Sequence, residues 1–597
     1  MKALRPRGTP IGSSTPWLIL GLVWIGYGIG YLVWLAGRLA AVSTGRPWST
    51  GPDYGPQFLG HLVRSQTQHL WPAVPGWLVA TYTGVLLTVA GAGAAAGWRL
   101  LSRFRSRPAD PLDSLATPAD MESLTLPTIR RRAQQLRPSL NGVPADRIPA
   151  DDAGVPLGRL QPRGPDLRGS WEDVAIALMA PRSGKTTALA IPTVLAAPGP
   201  ALATSNKSDL WAATAALRTT DGRRVWVFDP QQIVFADRDW WWNPLDGITT
   251  VEEAERLAGH FVLTVDDPGR RDIWGPGATE LLAALLLAAG ISGGDLHHVY
   301  GWLTDDASQE PSDILADHPQ FTAQANGLRG IQQTAWETKA GLYLTARTAA
   351  RCLRNPQIME WVTPPTDASP CFNPRQFVRS RDTIFLHSKD GGGSAGPLIA
   401  ALTDRVIREA TRRGESMGGR LDPPMPVVLD EAANICRIAD LPNLYSHLGS
   451  RGVYPITILQ SWAQGETVWG RSGMRALWGA STLKIASSGI DDPQLAEDLS
   501  RLIGNHDVDV ASYSRGGRDP ALSESVALRR QRILEPDKIR ALRKGSAVLL
   551  ATGCPAAMID LKPWFTGPQA DAISNAERAA KKTLVGRAAL HERTDLR

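Results

Sequence analysis

Two stretches of this chain are composed for a bilayer rather than for water. From Trp17 to Ala41 the only formal charge is Arg38, and from Ala73 to Trp98 there is none. About 20 apolar residues suffice to cross the hydrocarbon of a membrane, so each stretch is expected to form a transmembrane helix, over 17–41 and 73–98. Trp17, Trp34, Trp71, Trp77 and Trp98 fall near the expected interfaces. The run from Gly91 to Gly97 is expected to admit a closely packed neighbouring helix. Lys2, Arg5 and Arg7 precede the first span, and Arg99, Arg103, Arg105 and Arg107 follow the second. The positive-inside rule then puts the N-terminal segment 1–16 and everything after residue 98 in the cytoplasm, with 42–72 as an extracytoplasmic loop. The alternative, a cleaved signal peptide, fits less well, because the first apolar run exceeds the roughly 7–15 residues of such a region.

The remaining chain reads as globular. With 43% hydrophobic and 20% charged residues in 597, a large core is affordable, and the net charge of +6 permits an anionic partner without demanding one. The four cysteines, Cys352, Cys371, Cys436 and Cys554, show no metal-ligand spacing and are expected to be free, packed thiols. Residues 99–152 mix Pro, Arg and Asp and read as a basic linker. One helix is expected at 129–136, where Arg130, Arg131 and Arg132 suit a solvated face better than lipid or DNA. Short β-rich runs then recur at 174–179, 201–205, 225–228, 383–388, 427–429, 456–460, 483–487 and 547–551, several followed by helix-like segments. That pattern predicts an α/β fold on a largely parallel sheet. Between residues 251 and 365 the strand signal vanishes and helix-compatible stretches replace it, which predicts an all-α insertion separating 153–250 from 366–565. The tail 566–597 carries Arg578, Lys581, Lys582 and Arg587 on an expected helix.

A phosphate site is written into the first core strand. Met179-Ala-Pro181-Arg182-Ser183-Gly184-Lys185-Thr186-Thr187 lies between that strand and a helix-like run, the context a P-loop requires. Consecutive backbone N–H groups enclose phosphates there, Lys185 reaches the β- and γ-phosphates of ATP, and Thr186 is the expected Mg²⁺ ligand. The first glycine of the motif is replaced by Met179, which does not favour positive φ. Further on, the apolar strand before Asp430 and Glu431 has the form of a Walker B segment. Asp430 is expected to hold Mg²⁺ through water and Glu431 to polarise the attacking water. Gln460 ends the next strand, where it can sense the γ-phosphate. A carboxylate that merely caps the following helix, and a plain surface amide, are the competing readings.

Together these residues resemble the coupling ATPases of type IV secretion, the VirD4/TraG/TraD family, in the form found in actinobacterial conjugative elements. The segments that carry the resemblance are Gly158-Arg159, Pro181 to Thr187, Ile191-Pro-Thr193, Thr204 to Leu210, Phe228-Asp-Pro230, Trp242-Asn-Pro-Leu245, Asp430 to Asn434, Leu459-Gln-Ser461 and Asp491-Asp-Pro493. The resemblance implies a RecA-like P-loop motor with an inserted all-α domain, preceded by two transmembrane helices and acting as a homo-hexamer at the cell membrane. It implies ATP hydrolysis coupled to passage of relaxase-bound single-stranded DNA through secretion-channel proteins. Residue by residue it gives ATP to Lys185 and Thr186, hydrolysis to Asp430 and Glu431, and γ-phosphate sensing to Gln460. It further implies Arg451 as a trans arginine reaching a neighbour's ATP, with Arg529 or Arg530 as alternatives. Trp240, Trp241 and Trp242 suit packing beneath the insertion better than stacking on bases. Two rival readings are an FtsK-like duplex translocase or protein-export motor, and a non-hydrolysing membrane adaptor whose support is Met179. The short tail leaves no room for an appended winged-helix DNA reader, which favours the coupling family.

Overall fold

A computed structural model describes residues 15–64, 70–72, 74–104, 111–265, 273–515 and 522–595. It divides into two compact units, Met1–Ala109 and Asp110–Arg597.

In the first unit, helices Thr15–Ser43 and Gly76–Phe104 pack against each other, and a short helix, Pro56–Val63, lies in their connection. Their segments Val23–Ser43 and Gly76–Arg99 are long and apolar enough to cross a membrane. Arg38, the single charge of the first stretch, is buried and pairs with Asp53 at 3.0 Å while donating to the carbonyls of Trp48 and Pro52. The connecting loop therefore neutralises it, as an ionisable group in such a helix requires. Trp34, Tyr54, Phe58 and Trp71 form an aromatic cluster at this end, and the Trp71 ring occupies the space a side chain on Gly37 would need. The close approach expected at Gly91–Gly97 is not made among the described residues: none comes within 4 Å of a Cβ built on Gly91, Gly93 or Gly97, whereas Ala36, Ala40 and Ala41 at the loop end are buried.

The second unit is built on an 11-stranded sheet. In chain order the strands are β1 Gly154–Leu160, β2 Asp166–Ser170, β3 Ala175–Leu178, β4 Ala201–Ser205, β5 Val225–Phe228, β6 Thr383–His387, β7 Met425–Asp430, β8 Val453–Leu459 and β9 Leu483–Ser487. There follow β10 Asn505–Arg515 and β11 Leu522–Arg532, which form a separate hairpin, and β12 Ser546–Ala551 and β13 Ala557–Asp560. The spatial order is β2-β1-β13-β12-β9-β3-β8-β7-β4-β6-β5. From β9 to β5 all pairings are parallel, as the alternating apolar runs and helices predict. An antiparallel flank of β2, β1, β13 and β12 extends the other side. Every strand expected from the sequence is present. Those outside that set show no clean apolar run: β1, β2 and β13 are short or interrupted by Gly, Pro and Arg, and β10 and β11 are broken throughout by polar residues.

β5 and β6 are parallel neighbours, and the chain between them makes the helical insertion: Val251–Val262, Trp274–Ser292, Leu296–Thr304, Glu310–Ala316, Thr322–Gln333 and Trp336–Ala349. Thr250 caps the first of these by accepting from the Glu253 N–H, and Asp295 caps the third in a reciprocal capping box. The helix Trp274–Ser292 also meets the length and apolarity of a membrane span. It is apolar all round because it is the hub of the insertion, with Leu281, Leu282, Leu285, Leu286 and Ala288 buried against the surrounding helices. Trp240 is fully buried against Trp226, Phe228, Trp361 and Phe372, and its indole donates to the Val227 carbonyl. The tryptophan cluster is thus packing, not a stacking platform.

The stretch read as a basic linker is folded from residue 111 onward. Helix Leu126–Leu136 sits against β2, and Ala116 donates to the Ala556 carbonyl. Arg137 pairs with Asp422 at 3.1 Å, both side chains nearly inaccessible. Arg130, Arg131 and Arg132 are spent on the Ile148 carbonyl, the Thr128 hydroxyl and the Glu172 carboxylate. Apolar residues spaced irregularly between prolines hid this segment's burial. The tail is likewise a docked helix, Ala570–Asp595, lying along helix Asp209–Arg218, with Arg587 paired to Asp237 at 3.1 Å. All four cysteines are free: burial pushes the Cys352 and Cys436 thiols up to about 12, whereas Cys371 is exposed and Cys554 half-buried.

Candidate nucleotide site

The chain skips two positions between β3 and β4, so β8 and β7 insert between them and the carboxyl ends of β3, β8, β7 and β4 share one edge. Ligands of open α/β sheets bind at such an edge. β3 continues one residue further than its ladder: Met179 is buried and its N–H donates to the Leu459 carbonyl at 2.9 Å. The loop needs no left-handed residue there. Its positive φ values fall instead at Arg182 (64°) and Gly184 (95°), so the missing first glycine is no conformational defect. Pro181 and Arg182 are exposed, Ser183 is tied to the Ala180 carbonyl at 2.6 Å, and Thr187 donates to the Gly184 carbonyl at 3.2 Å. On the far side of the loop Gly489, with φ of 86°, approaches so closely that a Cβ there would stand 2.6 Å from the Ala180 Cβ.

β7 delivers the two acids. Thr204 on β4 donates to the Asp430 carbonyl at 3.1 Å, which fixes the strand end, and Glu431 then turns into the left-handed region at φ 60°. This turn points its carboxylate back across the sheet edge instead of letting it cap the short helix that follows, and no capping hydrogen bond forms. Lys185 Nζ lies 3.1 Å from Asp430 Oδ1 and is ion-paired to Glu431. Gln460, at the end of β8, donates its amide to both Glu431 oxygens at 2.6 and 2.7 Å, so it is a partner of the second acid and not a surface amide. Asn434 donates to Glu431 Oε2 at 3.1 Å. The sequence assigns Asn434 no role beyond its place in the Asp430-to-Asn434 segment; its position three residues beyond Glu431, one helical turn on, is the signal that points to it.

The electrostatics follow from burial. Burial alone works against the Lys185 charge, but the Asp430 and Glu431 carboxylates outweigh it and raise the ammonium's pKa above its usual value. Burial also raises the Asp430 carboxyl, against the opposing pull of Lys185. Asp430 Oδ1, although ion-paired, receives no well-directed hydrogen bond, and Thr186 Oγ1 stands 3.3 Å from Oδ2. A buried carboxylate oxygen without a donor, beside a hydroxyl, fits a hard divalent cation. Arg451 is not brought to this edge. It precedes β8 at the opposite end of the sheet and pairs with Glu415 at 2.8 Å. Arg529 and Arg530 lie exposed on the β10–β11 hairpin.

A family model, described as the TraM recognition site of TraD and TraG, matches residues 424–544. The chain is 23% identical over 404 residues to a conjugal transfer protein TraG of Rhizobium radiobacter, covering 64% of this chain and 60% of that protein. It is 22% identical over 424 residues to the type IV secretion system-coupling protein VirD4 of Bartonella quintana, covering 66% of this chain and 63% of the relative. It thus spans about 60% of the length of the first of these curated relatives. Among solved structures, an unbound form of the bacterial conjugative coupling protein TrwBdeltaN70 shares the fold with a TM-score of 0.50 at 17% identity, over 68% of this chain and 88% of the other. Taken with the order of the strand-end segments and the insertion between β5 and β6, these likenesses make the chain similar to the VirD4/TraG coupling proteins of type IV secretion.

Proposed function

We propose that this chain is a membrane-anchored ATPase that recruits a relaxase–DNA substrate and drives its conjugative transfer through a type IV secretion channel. The observation that carries the reading is the convergence of Lys185, Thr186, Asp430, Glu431 and Gln460 on one buried sheet edge. Lys185 neutralises both acids. When ATP occupies the loop of Pro181 to Thr187, its phosphates compete for the same ammonium, and Lys185 moves from Glu431 toward them. Thr186 and Asp430 are the residues that would hold Mg²⁺, which supplies charge neutralisation at the phosphates when bound. Freed from the ammonium, Glu431 accepts a proton from the attacking water, while Gln460 keeps that carboxylate oriented. Turnover is therefore switched on by the same displacement that seats the nucleotide.

The anchor is the pair of apolar helices in the first unit, and the basic residues flanking them favour a cytoplasmic motor. Assembly as a homo-hexamer, and passage of a single strand, rest on the family. An adaptor without hydrolysis loses its argument once Met179 proves compatible with the loop. ATP turnover by the full-length protein in detergent, compared with Lys185→Ala, tests the motor: equal phosphate release by the two would remove it. An FtsK-like activity predicts tighter binding to duplex than to single strands at matched salt, and that result would redirect the cargo assignment.

A further inference from the structure

The seam between the helical insertion and the sheet encloses a second polar cavity, of about 230 Å³, which the nucleotide site does not use. Arg351 enters it from the insertion, Arg437 and Asn434 from the segment after β7, and the loop Gly391–Gly393 from the end of β6. Among the described residues no Asp or Glu lines it. In the adjoining cavity of about 260 Å³ three of the lining arginines are spent: Arg405 and Arg412 pair with Glu253 and Glu409, and Arg408 with Asp404. Here neither guanidinium has a carboxylate partner among the described residues. Arg437 donates only Nε, to the Ala433 carbonyl at 2.7 Å, and burial holds its pKa below the usual value. Its charge is partly desolvated and has no carboxylate partner among the described residues, a state that a bound anion relieves.

The glycine loop is held for such an anion. The Gln231 side-chain oxygen accepts from Ser388 Oγ at 2.8 Å, from Lys389 N at 3.0 Å and from Ala395 N at 3.2 Å, so one carbonyl pins both ends of the loop. Between them the N–H groups of Gly391, Gly392 and Gly393 find no acceptor among the described residues, with φ of 105° at Gly391 and 81° at Gly393. Successive free N–H groups in such a turn make an anion-binding concavity. Arg351 lies directly over Gly392, in space that any other side chain at that position would claim. Asp390, the nearest acid in sequence, is turned away to Asn206 at 3.1 Å. At the back wall His260 is 5% exposed and neither ring nitrogen has a hydrogen-bond partner among the described residues, its Nε2 standing 3.6 Å from Asp404.

We propose that this cavity binds a phosphate group of a nucleic-acid strand and that Asn434, which lines the cavity and donates to Glu431, reports its occupancy to the hydrolytic carboxylate. Two guanidinium forks and a backbone concavity, with no acid among the described lining residues, are the chemistry that recognises a phosphodiester. Asn434 is a positioning residue: a strand phosphate in the cavity biases its amide, and through it the orientation of Glu431. This rests on the nucleic-acid cargo proposed above.

The test uses full-length protein in detergent and a fluorescent oligothymidylate. Arg351→Gln is expected to weaken strand binding about tenfold and to lower the slope of log affinity against log salt by about 0.7, the contribution of one single-strand phosphate. Basal ATP turnover without DNA and the melting temperature should be unchanged, and Arg351→Lys should restore most of the slope. Asn434→Ala is expected to bind the strand normally and to lose strand-stimulated turnover. Unchanged affinity and slope in Arg351→Gln, with wild-type protein binding the strand, would overturn the site and leave the cargo reading intact. Wild-type protein that binds no strand would overturn the cargo reading itself. Loss of inorganic phosphate binding in Arg351→Gln, with oligothymidylate binding intact, would assign the cavity to a free anion and overturn the strand proposal.

Discussion

Replacing Glu431 by glutamine should tighten ATP binding while stopping hydrolysis. Lys185 is shared between Asp430, 3.1 Å away, and Glu431, with side-chain exposures of 10%, 4% and 2% for the lysine, aspartate and glutamate. A unit charge pair about 3 Å apart, at an effective dielectric of about 20, is worth roughly 5 kcal/mol before desolvation is subtracted. Burial opposes that attraction and Asp430 retains part of the ammonium, so the net release on removing the Glu431 charge is about 1–2 kcal/mol. The freed lysine is the group the phosphates need, and the carboxylate removed is one that repels them. Affinity for a fluorescent ATP analogue with magnesium should therefore rise about 5- to 30-fold. Turnover should fall by about 10²-fold or more, the ordinary worth of a positioned base. Equilibrium titration beside a phosphate-release assay on the full-length protein reads both quantities. Affinity equal to or weaker than wild type, with turnover lost, would refute the view that the resting site is clamped by its own lysine.

Gln460→Ala removes two of the contacts that orient Glu431 and leaves that from Asn434. It is expected to slow turnover about tenfold or more while leaving nucleotide affinity within about twofold; parallel loss of binding would show a structural role instead. Arg137→Ala should cost about 3 kcal/mol of the second unit's stability. The loss is at the low end for a broken buried pair because Asp422 keeps Ser139 N and Oγ, each at 2.6 Å. Chemical denaturation gives the figure, and a loss under about 1 kcal/mol would mean that residues 111–153 are no integral part of the fold. Arg451→Ala is expected to leave turnover within about twofold, since its guanidinium serves Glu415 at the opposite end of the sheet; complete loss of turnover with intact ATP binding would restore a trans role.

The parallel half of the sheet was legible because its strands are buried on both faces and so read as unbroken apolar runs, as in Val427-Val-Leu429 or Ile456-Thr-Ile458. The antiparallel flank was not, because β1 and β2 carry Gly158, Arg159, Arg168 and Gly169 at positions where a regular pattern would place apolar residues. The linker reading failed for a related reason. What binds 111–153 to the sheet is scattered apolar packing by Leu115, Ala116, Met121 and Leu124 together with the buried pair of Arg137 and Asp422, and partners 285 residues apart leave no local trace. At the site, Lys185, Thr186, Asp430, Glu431 and Gln460 could be named from strand-end chemistry alone. That Lys185 rests on the acids, and that Asn434 touches one of them, are facts of the turn at Glu431, whose positive φ nothing in the sequence Leu-Asp-Glu-Ala announces.

The same turn bears on how chemistry is transmitted. Apolar packing is continuous from the hub of the insertion to the strands, joining Leu281 and Leu285 to Trp240, Leu398 and Val427 in one core. A close-packed core of this kind moves as a body, so the insertion is no loosely hinged arm. Where packing is interrupted, the walls are polar: the arginine-lined cavities on either side of His260, between the first helix of the insertion and helix Gly396–Ser416. Charged and hydrogen-bonded contacts can exchange partners there at little cost in buried apolar area. On the proposed reading, a change that begins when Lys185 leaves Glu431 has a short route outward through Asn434 to the seam, and it arrives where the fold is most able to rearrange.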